Sequence, residues 1–476
     1  MCNTEKNSTP PLPPPGGLRG AYFIGIGGIG MSNLSRYFLS QGKRVGGYDR
    51  TQTPLTEALE KEGAFVHYAD DISGVPAEFL DKNRTLVVYT PAVPASHGEL
   101  SYFRENGFTL MKRSQVLGEI TKASRSVCVA GTHGKTTVSS MVAHLLHQSR
   151  VDCNAFLGGI LKNYDSNLIL SAKSDITVAE ADEYDRSFHW LHPWIAIITS
   201  ADPDHLDIYG TPEAYRESFE HFTSLIVPNG FLIIKKGAPV TPRSGESVTI
   251  FTYAETEGDY HAENIRIGNG EIVFDFVAPD LEIKDIQLGV PVKINIENAV
   301  AAIAAATLAG VAPDEVRAAM ASFGGARRRF DIRLKTDNTV FIDDYAHHPA
   351  ELEASIRSIQ ALYPHKKVTG VFQPHLYTRT RDFAGDFAHS LSELDEVILL
   401  DIYPAREEPI PGVTSEIIFD KITNDNKTVC KKSELLDLLE HKDVEVLVTL
   451  GAGDIDRLLP DIEKILKEKS TEKQRH

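Results

Sequence analysis

Short apolar runs alternate with amphipathic stretches along most of the chain. The first run, residues 21–24, precedes a helical pattern over residues 31–41, and a second run at residues 44–48 ends at Asp49. Short apolar runs bounded by glycine are typical of buried strands, and their alternation with helices is typical of a parallel sheet. The pattern therefore predicts a βαβ unit at the start of the first domain.

The same alternation continues to the end of the chain. Further strands are predicted at residues 86–89, 109–111, 126–130, 176–179, 195–199, 339–342, 368–372, 396–400 and 445–449, with helices at residues 136–148 and 298–309. This repetition predicts three α/β domains after a disordered, proline-rich leader. Their expected bounds are residues 1–17 for the leader, then 18–122, 123–326 and 327–476.

Composition narrows the possible partners. The 476 residues carry a formal net charge of -17, and such a surface repels nucleic-acid phosphates and anionic membranes. Four scattered cysteines, without the CxxC spacing, suggest neither a zinc site nor a disulfide framework. The sequence contains no apolar run of membrane-spanning length and no apolar signal-peptide core, so a cytoplasmic location is expected.

A glycine loop at residues 131–137 provides the clearest chemistry. It follows a predicted strand, opens a predicted helix, and consists of Gly131, Thr132, His133, Gly134, Lys135, Thr136 and Thr137. Glycines let several backbone N–H groups converge on a phosphate, a lysine adds positive charge, and a threonine hydroxyl suits Mg²⁺. We name residues 131–137 the second glycine loop, because another glycine loop lies earlier in the chain at residues 25–30. We predict that the second glycine loop binds ATP.

Polar residues after two later strands suit a metal. Glu180 is expected just after the strand at residues 176–179, and His205 follows the strand at residues 195–199. Mg²⁺ prefers oxygen ligands that it shares with phosphate, and an imidazole suits a second metal or a phosphate contact. Taken alone, each is as readily a solvated surface residue, but both come at the carboxyl ends of predicted strands.

The first glycine loop, residues 25–30, has the spacing of a dinucleotide-binding turn, with Asp49 at the end of the next strand. Such a turn binds any diphosphate, including that of a nucleotide sugar. A nicotinamide-dependent oxidoreductase and a non-catalytic nucleotide-sugar sensor are therefore alternatives. In the last block, His347 and His348 follow one predicted strand, and Arg379 and Arg381 follow another, which indicates a site for an anionic or carboxylate-bearing ligand.

These motifs together resemble the Mur ligase family over nearly the whole chain. The resemblance is carried by FIGIGGIGMS, GTHGKTT, AEADEYDRSF, DPDHLD, NIEN, RRRFD, DDYAHHP, QPHLYTRTRD, YPAREEP and LGAGDI. It implies a Rossmann-like N-terminal domain for a UDP-sugar, a P-loop-type central ATPase domain and a Rossmann-like C-terminal domain for an amino acid. It also implies ATP with Mg²⁺, for which Mn²⁺ is an expected substitute.

The resemblance assigns roles by position. It implies that Gly27, Gly28, Ile29, Gly30, Asp49 and Thr90 bind the UDP-sugar, and that Thr136, Glu180 and His205 hold metal. It adds Asn295, Asn298, Arg329 and Asp344 to the ATP site. It implies that Tyr345, His347, His348, Arg379 and Arg381 surround the amino acid, with Lys135, His348 and Arg379 as the catalytic candidates.

Three positions depart from the family pattern. Ile294 stands where a histidine often precedes Asn295, and Ala69-Asp70 stands where Gly-His is usual, which removes an expected pyrophosphate contact. Glu220-His221 occupies the neighbourhood in which sister ligases carry a carbamylated lysine, so none is expected here.

The implied reaction joins L-alanine to the lactyl carboxylate of UDP-N-acetylmuramate through an acyl-phosphate, in peptidoglycan precursor synthesis. A sister ligase that adds a recycled peptide to the same sugar is the nearest alternative. The amino-acid choice among alanine, glycine and serine stays open, and the protein is expected to be a monomer or a homodimer.

Overall fold

The computed structural model describes residues 17–90, 92–94, 96–268, 270–405 and 407–473. The expected leader, except for its last residue, lies outside the described residues. The chain divides into two compact units. The first runs to Ala262 and includes Phe276–Ile283 and Glu297–Met320, and the second holds Glu263–Asp275, Lys284–Ile296 and the chain from Ala321 onward.

The first sheet of the first unit is fully parallel, in the order β3-β2-β1-β4-β5. Its strands are β1 (Gly20–Ile24), β2 (Arg44–Tyr48), β3 (Phe65–His67), β4 (Thr85–Tyr89) and β5 (Thr109–Lys112). Its helices are α1 (Ile29–Ser40), α2 (Pro54–Lys61), α3 (Gly98–Glu105) and α4 (Arg113–Lys122). Chain order reverses at β1, and ligands bind where such a reversal opens a crevice at the carboxyl end of a strand. This half-Rossmann order puts the first glycine loop at that crevice.

The second sheet of the same unit has the order β12-β11-β10-β6-β9-β7-β8, and only β8 runs antiparallel to its neighbour. Its strands are β6 (Arg125–Ala130), β7 (Asn154–Leu161), β8 (Ser166–Ile169), β9 (Ile176–Ala181), β10 (Ile195–Ile198), β11 (Phe231–Lys235) and β12 (Thr249–Tyr253). Its helices are α5 (Lys135–His147), α6 (Leu206–Tyr209) and α7 (Pro212–Ser224). The second glycine loop leaves central strand β6, which lies between β9 and β10.

One buried apolar cluster runs through both sheets of the first unit, from Leu18 to Val240. The α1 helix contributes Leu34 and Phe38, and the second sheet contributes Phe156 and Ala179. Burial of this kind contributes roughly 25 cal/mol per Å² of apolar surface. The two sheets of the first unit therefore share one apolar core, and the predicted domain bounds stay a prediction.

A three-stranded sheet follows, in the order β13-β14-β15, and the division between the units passes through it. Its strands are β13 (His261–Gly268), β14 (Glu271–Ala278) and β15 (Leu281–Gln287), followed by α8 (Ile294–Leu308) and α9 (Pro313–Ser322). The alanine-rich α8 is almost entirely buried beyond Glu297, since its small side chains allow close packing on every face.

The last sheet, in the second unit, has the order β16-β17-β21-β18-β19-β20, and only β16 is antiparallel. Its strands are β16 (Asp331–Lys335), β17 (Val340–Asp344), β18 (Val368–Phe372), β19 (Glu396–Leu399), β20 (Lys427–Val429) and β21 (Val446–Leu450). Its helices are α10 (Pro349–Leu362), α11 (Tyr377–Asp382), α12 (Ala384–Leu391), α13 (Glu416–Phe419), α14 (Leu435–Glu440) and α15 (Leu459–Lys473). The predicted mixed α/β class is confirmed. Within the described residues, no helix combines the length and the apolar character that crossing a membrane requires.

Candidate active site

The second glycine loop turns the chain from β6 into α5. Gly131 has φ +148° and Gly134 has φ +83°, backbone conformations that side-chain-bearing residues rarely adopt. A Cβ on Gly131 would lie 1.9 Å from the Thr199 hydroxyl oxygen. Glycine is thus required at both ends of the turn, and the first N–H groups of α5 are left for a phosphate.

The residues that follow β10 fix this loop through hydrogen bonds. The Thr199 hydroxyl donates to the carbonyl oxygen of His133 at 2.5 Å, and Ser200 Oγ accepts the backbone N–H of His133 at 2.9 Å. The Thr132 hydroxyl donates to the carbonyl oxygen of Asp202 at 2.7 Å. Sequence reasoning missed Thr199, since a hydroxyl after a strand is common and only the packing shows that it faces the loop.

Lys135 opens α5 and reaches back across the loop. Its Nζ donates to Glu183 Oε1 at 2.9 Å and to the carbonyl oxygen of Gly131 at 2.6 Å. Burial alone would lower the pKa of Lys135, but the carboxylates of Glu183 and Glu180 outweigh it, so the pKa is raised and the side chain stays charged. Sequence reasoning also missed Glu183, although AEADEYDRSF contains it, because nothing in the spacing says which of its acids meets the lysine.

Thr136 and Glu180 meet beside the lysine. The Thr136 hydroxyl donates to Glu180 Oε1 at 3.1 Å, and Glu180 Oε2 accepts the N–H of Gly158 from β7 at 3.1 Å. The expectation that Glu180 follows its strand is wrong: β9 continues to Ala181, which pairs with Ala130 of β6. Glu180 is therefore held inside the sheet, next to the loop.

This pair of oxygens fits a magnesium ion that shares its ligands with phosphate. Mg²⁺ in such sites is held by one or two protein oxygens plus phosphate and water. Within the described stretches, no cluster of three or more histidine, cysteine or acidic side chains could hold a metal by itself. The structure therefore fits a metal that depends on a bound nucleotide.

His205 lies close to the same acids. Its Nε2 is 3.9 Å from Glu183 Oε1, and its ring meets Tyr184 edge-on with centroids 5.2 Å apart. The backbone of His205 is left-handed, with φ +51°, and His205 directly precedes α6. The distance is too long for a hydrogen bond but suits two groups that share a ligand.

Two asparagines begin α8. Asn298 Oδ1 lies 3.2 Å from the position that a Cβ on Gly134 would take, which puts its amide beside the second glycine loop. Asn295 is buried, and its Nδ2 donates to the carbonyl oxygen of Val290 at 3.1 Å. Thr137 is half-buried in the first turn of α5.

The first glycine loop turns the chain from β1 into α1. Its Gly27 N–H donates to Asp49 Oδ2 at 2.7 Å, and a Cβ on Gly27 would come within 2.8 Å of that oxygen. Thr90, after β4, lies against Gly25, with its Cγ2 3.0 Å from the position of a Cβ there. Gly28 precedes α1, and the Ile29 side chain is 39% exposed at its start. Asp49 thus contacts the first glycine loop, and its predicted role with a ribose stays a prediction.

Asp70, one of the departures from the family pattern, has a structural partner. Its carboxylate accepts the backbone N–H groups of Gly98 at 2.8 Å and Glu99 at 2.9 Å, and it pairs with His97 Nδ1 at 3.3 Å. A carboxylate here stabilises the N-terminus of α3 through these hydrogen bonds and the helix dipole.

The second unit groups an arginine, an aromatic ring and a half-buried acid at the end of β17. The guanidinium of Arg329 lies 5.1 Å from the centroid of the Tyr345 ring. Asp344, the last residue of β17, accepts a hydrogen bond from the Ser355 hydroxyl at 2.8 Å. Burial raises the pKa of Asp344 to about 6, although Ser355 and Arg329 oppose the shift.

The two histidines after β17 differ in their surroundings. His347 Nδ1 lies 3.1 Å from the carbonyl oxygen of Tyr345 and 3.2 Å from Glu351 Oε2. Burial lowers the pKa of His347, and Glu351 offsets part of the shift. The His348 ring packs edge-on against Phe383, with centroids 5.1 Å apart. His347 is therefore held by polar contacts of its Nδ1, whereas the His348 ring packs against an aromatic side chain.

Both candidate arginines belong to α11. Arg379 is half-buried, and its charge helps to lower the pKa of His347. Arg381 is exposed, and its Nε donates to its neighbour Asp382 at 2.8 Å. Of the two, Arg379 is the one that lies near the histidine.

Sequence models of known families match three consecutive stretches of the chain. They are the Mur ligase family catalytic domain over residues 21–125, the Mur ligase middle domain over residues 129–306 and the Mur ligase glutamate ligase domain over residues 328–453. The chain belongs to the Mur ligase family. It is thus a ligase of a family that uses ATP, and the oxidoreductase interpretation of the first glycine loop is set aside.

Relatives match over nearly their full length. The chain is 67% identical to a UDP-N-acetylmuramate–L-alanine ligase of Parabacteroides distasonis, over 94% of this chain and 96% of that protein. It is 50% identical to one of Flavobacterium johnsoniae, over 95% and 98%. Among solved structures, a UDP-N-acetylmuramate-alanine ligase of Thermotoga maritima aligns with TM-score 0.81 at 27% identity, over 94% of this chain and 99% of that one. The predicted three-domain Mur ligase fold is confirmed.

Proposed function

We propose that this chain joins L-alanine to the lactyl carboxylate of UDP-N-acetylmuramate and converts ATP to ADP and phosphate in peptidoglycan precursor synthesis. The 67% identity with the Parabacteroides distasonis ligase over 94% of the chain carries the proposal. The second glycine loop, with its lysine, hydroxyl and carboxylate, supports it with groups suited to phosphoryl transfer.

In the first step the lactyl carboxylate attacks the γ-phosphorus of ATP. A bond forms between a carboxylate oxygen and phosphorus, the bond to the β-γ bridging oxygen breaks, and ADP leaves. Two anions must approach each other, so Lys135 and the N–H groups at the start of α5 offset the charge. When bound, Mg²⁺ neutralises phosphate charge, and we assign it to Thr136 and Glu180, with Mn²⁺ as a substitute and His205 at a second metal.

In the second step the amine of L-alanine attacks the acyl carbon. A tetrahedral intermediate forms, and phosphate leaves as the amide bond is completed. The amine must lose a proton, and a neutral imidazole in contact with the amino acid suits this task. Because burial lowers the pKa of His347, His347 is as good a candidate as His348, with Arg379 oriented toward the substrate carboxylate.

The remaining assignments follow from this reaction. We assign the UDP moiety to Gly27, Gly28, Ile29, Gly30, Asp49 and Thr90, and ATP to the second glycine loop with Asn295, Asn298, Arg329 and Asp344. Tyr345 and Arg381 complete the proposed amino-acid site. A cytoplasmic location follows from the two nucleotide substrates, and a monomer or homodimer is expected.

A phosphate-release assay tests the proposal. The full-length protein is incubated with ATP, Mg²⁺ and UDP-N-acetylmuramate, and L-alanine, glycine, L-serine or a tripeptide is added in separate reactions. We expect the fastest release with L-alanine. Release with the tripeptide alone would point to the sister ligase that adds a recycled peptide, and no release with any acceptor would favour the nucleotide-sugar sensor.

A further inference from the structure

Arg113 contacts the first glycine loop and the loop that follows β9 in the first unit. It begins α4, directly after β5, at the edge of the first sheet where β1 and β4 also end. Its guanidinium packs over the first turn of α1: a Cβ on Gly30 would be 3.0 Å from its Nη1 and 3.3 Å from its Cζ. Gly30 therefore leaves room for an arginine above the loop proposed to bind the UDP-sugar.

The same guanidinium contacts the loop after β9. Its Nη2 donates to Asp182 Oδ2 at 3.0 Å, and the other oxygen of Asp182 accepts the N–H of Tyr184 at 3.0 Å. Asp182 is 39% exposed and the arginine side chain 20%. Among the described residues this is the one ion pair of Arg113, so Nε and Nη1 are available to a ligand.

The charges around the first glycine loop call for a cation. Asp49 brings a negative carboxylate to Gly27, and residues 25–30 contain no basic side chain. Within residues 25–30, a diphosphate would find N–H groups at the first turn of α1 but no side-chain cation to offset its charge beside Asp49. Arg113, in contact with Gly30, supplies the missing positive charge and paired donors suited to phosphate oxygens.

We propose that Arg113 binds the diphosphate of the nucleotide sugar, and that Asp182 holds its guanidinium over Gly30 until that ligand arrives. The inference rests on the proposed function and names a residue of its nucleotide-sugar site. Asp182 precedes Glu183, which pairs with Lys135, so the arginine also links the sugar side of the unit to the ATP side.

A purely structural role makes a different prediction. If Arg113 only joined the two sheets through Asp182, loss of either partner would have the same effect. If Arg113 binds diphosphate, Asp182 competes with the ligand, so loss of the arginine weakens nucleotide binding and loss of the aspartate's charge does not.

The test measures binding of UDP and of uridine to the full-length protein by calorimetry. We expect Arg113→Met to weaken UDP binding roughly 10- to 100-fold, the loss of a charge-assisted hydrogen bond, and to leave uridine binding unchanged. Arg113→Lys should retain part of the affinity, and Asp182→Asn should leave UDP binding unchanged or tighten it. Lys112→Met is the matched control, because Lys112 pairs with Asp185 at 2.8 Å and does not contact Gly30.

Equal UDP affinity in Arg113→Met and the unsubstituted protein would overturn the inference, and so would equal weakening by Asp182→Asn and Arg113→Met. ATP binding, measured in parallel, confirms that each variant is folded. If the unsubstituted protein bound ATP but neither UDP nor the nucleotide sugar, the proposed function itself would fail.

Discussion

The two glycine loops of the first unit make the same strand-to-helix turn with opposite chemistry. The first gives its Gly27 N–H to the carboxylate of Asp49 and contains no basic side chain. The second contains Lys135, whose ammonium is held by Glu183, and a hydroxyl bonded to Glu180. Both expose the N–H groups at the start of a helix, which suit a phosphate.

The comparison separates what the turn provides from what the side chains provide. A turn after a parallel strand supplies N–H donors and room for a phosphate, and both loops have this. Only the second adds a cation and oxygen ligands for a metal, so only it is equipped for phosphoryl transfer. The carboxylate beside the first loop suits the hydroxyl groups of a ribose, in line with the proposal that this loop binds the UDP-sugar.

The largest expected effect is on Lys135. We expect Lys135→Met to lower the rate of phosphate release at least ~100-fold, because the charge that offsets the attacking and leaving anions is lost. UDP binding should not change, since the first loop has no part in this contact. Lys236→Met, which removes a surface partner of Glu257, is the control and should retain normal turnover. Near-normal turnover in Lys135→Met would contradict the assignment of ATP to the second glycine loop.

The next largest expected effect is on the requirement for metal, which we expect at the second glycine loop and not at the first. Thr136→Val should raise the Mg²⁺ concentration needed for half-maximal activity roughly 10- to 100-fold, while Thr136→Ser keeps the hydroxyl and should stay near normal. UDP binding should be insensitive to removal of Mg²⁺ by a chelator. An equal shift in the valine and serine variants, or UDP binding that requires the metal, would break the distinction.

The room around the glycines gives a third test. A Cβ would lie 1.9 Å from the nearest atom at Gly131, 2.7 Å at Gly27 and 3.5 Å at Gly28. Substitution to alanine should therefore destabilise the protein in that order, by about 1–3 kcal/mol at the crowded positions and least at Gly28. Thermal unfolding measures this, and a Gly28→Ala variant less stable than Gly131→Ala would contradict it.

The smallest effect concerns Glu99, a buried acid in the first turn of α3. Glu99 is fully buried, accepts the Tyr22 hydroxyl at 2.7 Å and lies 3.1 Å from His67 Nε2, with Asp70 and His97 at the start of the same helix. Burial raises the pKa of Glu99 to about 6, although the hydrogen bond from Tyr22 opposes the shift. Its contribution to stability is therefore complete below the unfolded pKa of about 4.3 and is lost as pH rises through the folded value.

Glu99→Gln cannot ionise, so its Tm relative to the unsubstituted protein should rise between about pH 4.5 and about pH 7.5, by roughly 2–4 °C. Glu62→Gln, at a partly exposed acid paired with Arg36, is the control. A Tm difference that is constant with pH would mean that Glu99 does not titrate in this range.

Regular, buried elements could be predicted from the sequence. The bounds of β2 and β18 agree with the prediction to the residue, because each is a buried run with clear ends. The prediction does not include the sheet β13-β14-β15, since half-exposed strands with many polar residues lack a clear apolar run. It also does not include β7, although that strand is largely apolar. The end of β9 was placed two residues early, because pairing with β6 overrides the polarity of Glu180.

At the site, glycines and the lysine could be predicted because loop chemistry is local. Which acid meets Lys135 could not be predicted, because Glu180 and Glu183 are close in sequence and only the structure shows that β9 ends between them. The contact of Arg113 with Gly30 joins residues far apart in sequence, so spacing could not indicate it.

The packing of β7 and β8 against α1 limits how the protein can be cut into smaller pieces. Asn167 Nδ2 donates to the carbonyl oxygen of Ile29 at 2.7 Å, Asn33 Nδ2 donates to that of Leu157 at 3.4 Å, and the Tyr37 ring meets Phe156 edge-on. A fragment that ended near residue 122 would lose these partners and expose an apolar helix face to water. Ligand screening against the first glycine loop therefore calls for a fragment that contains both sheets of the first unit.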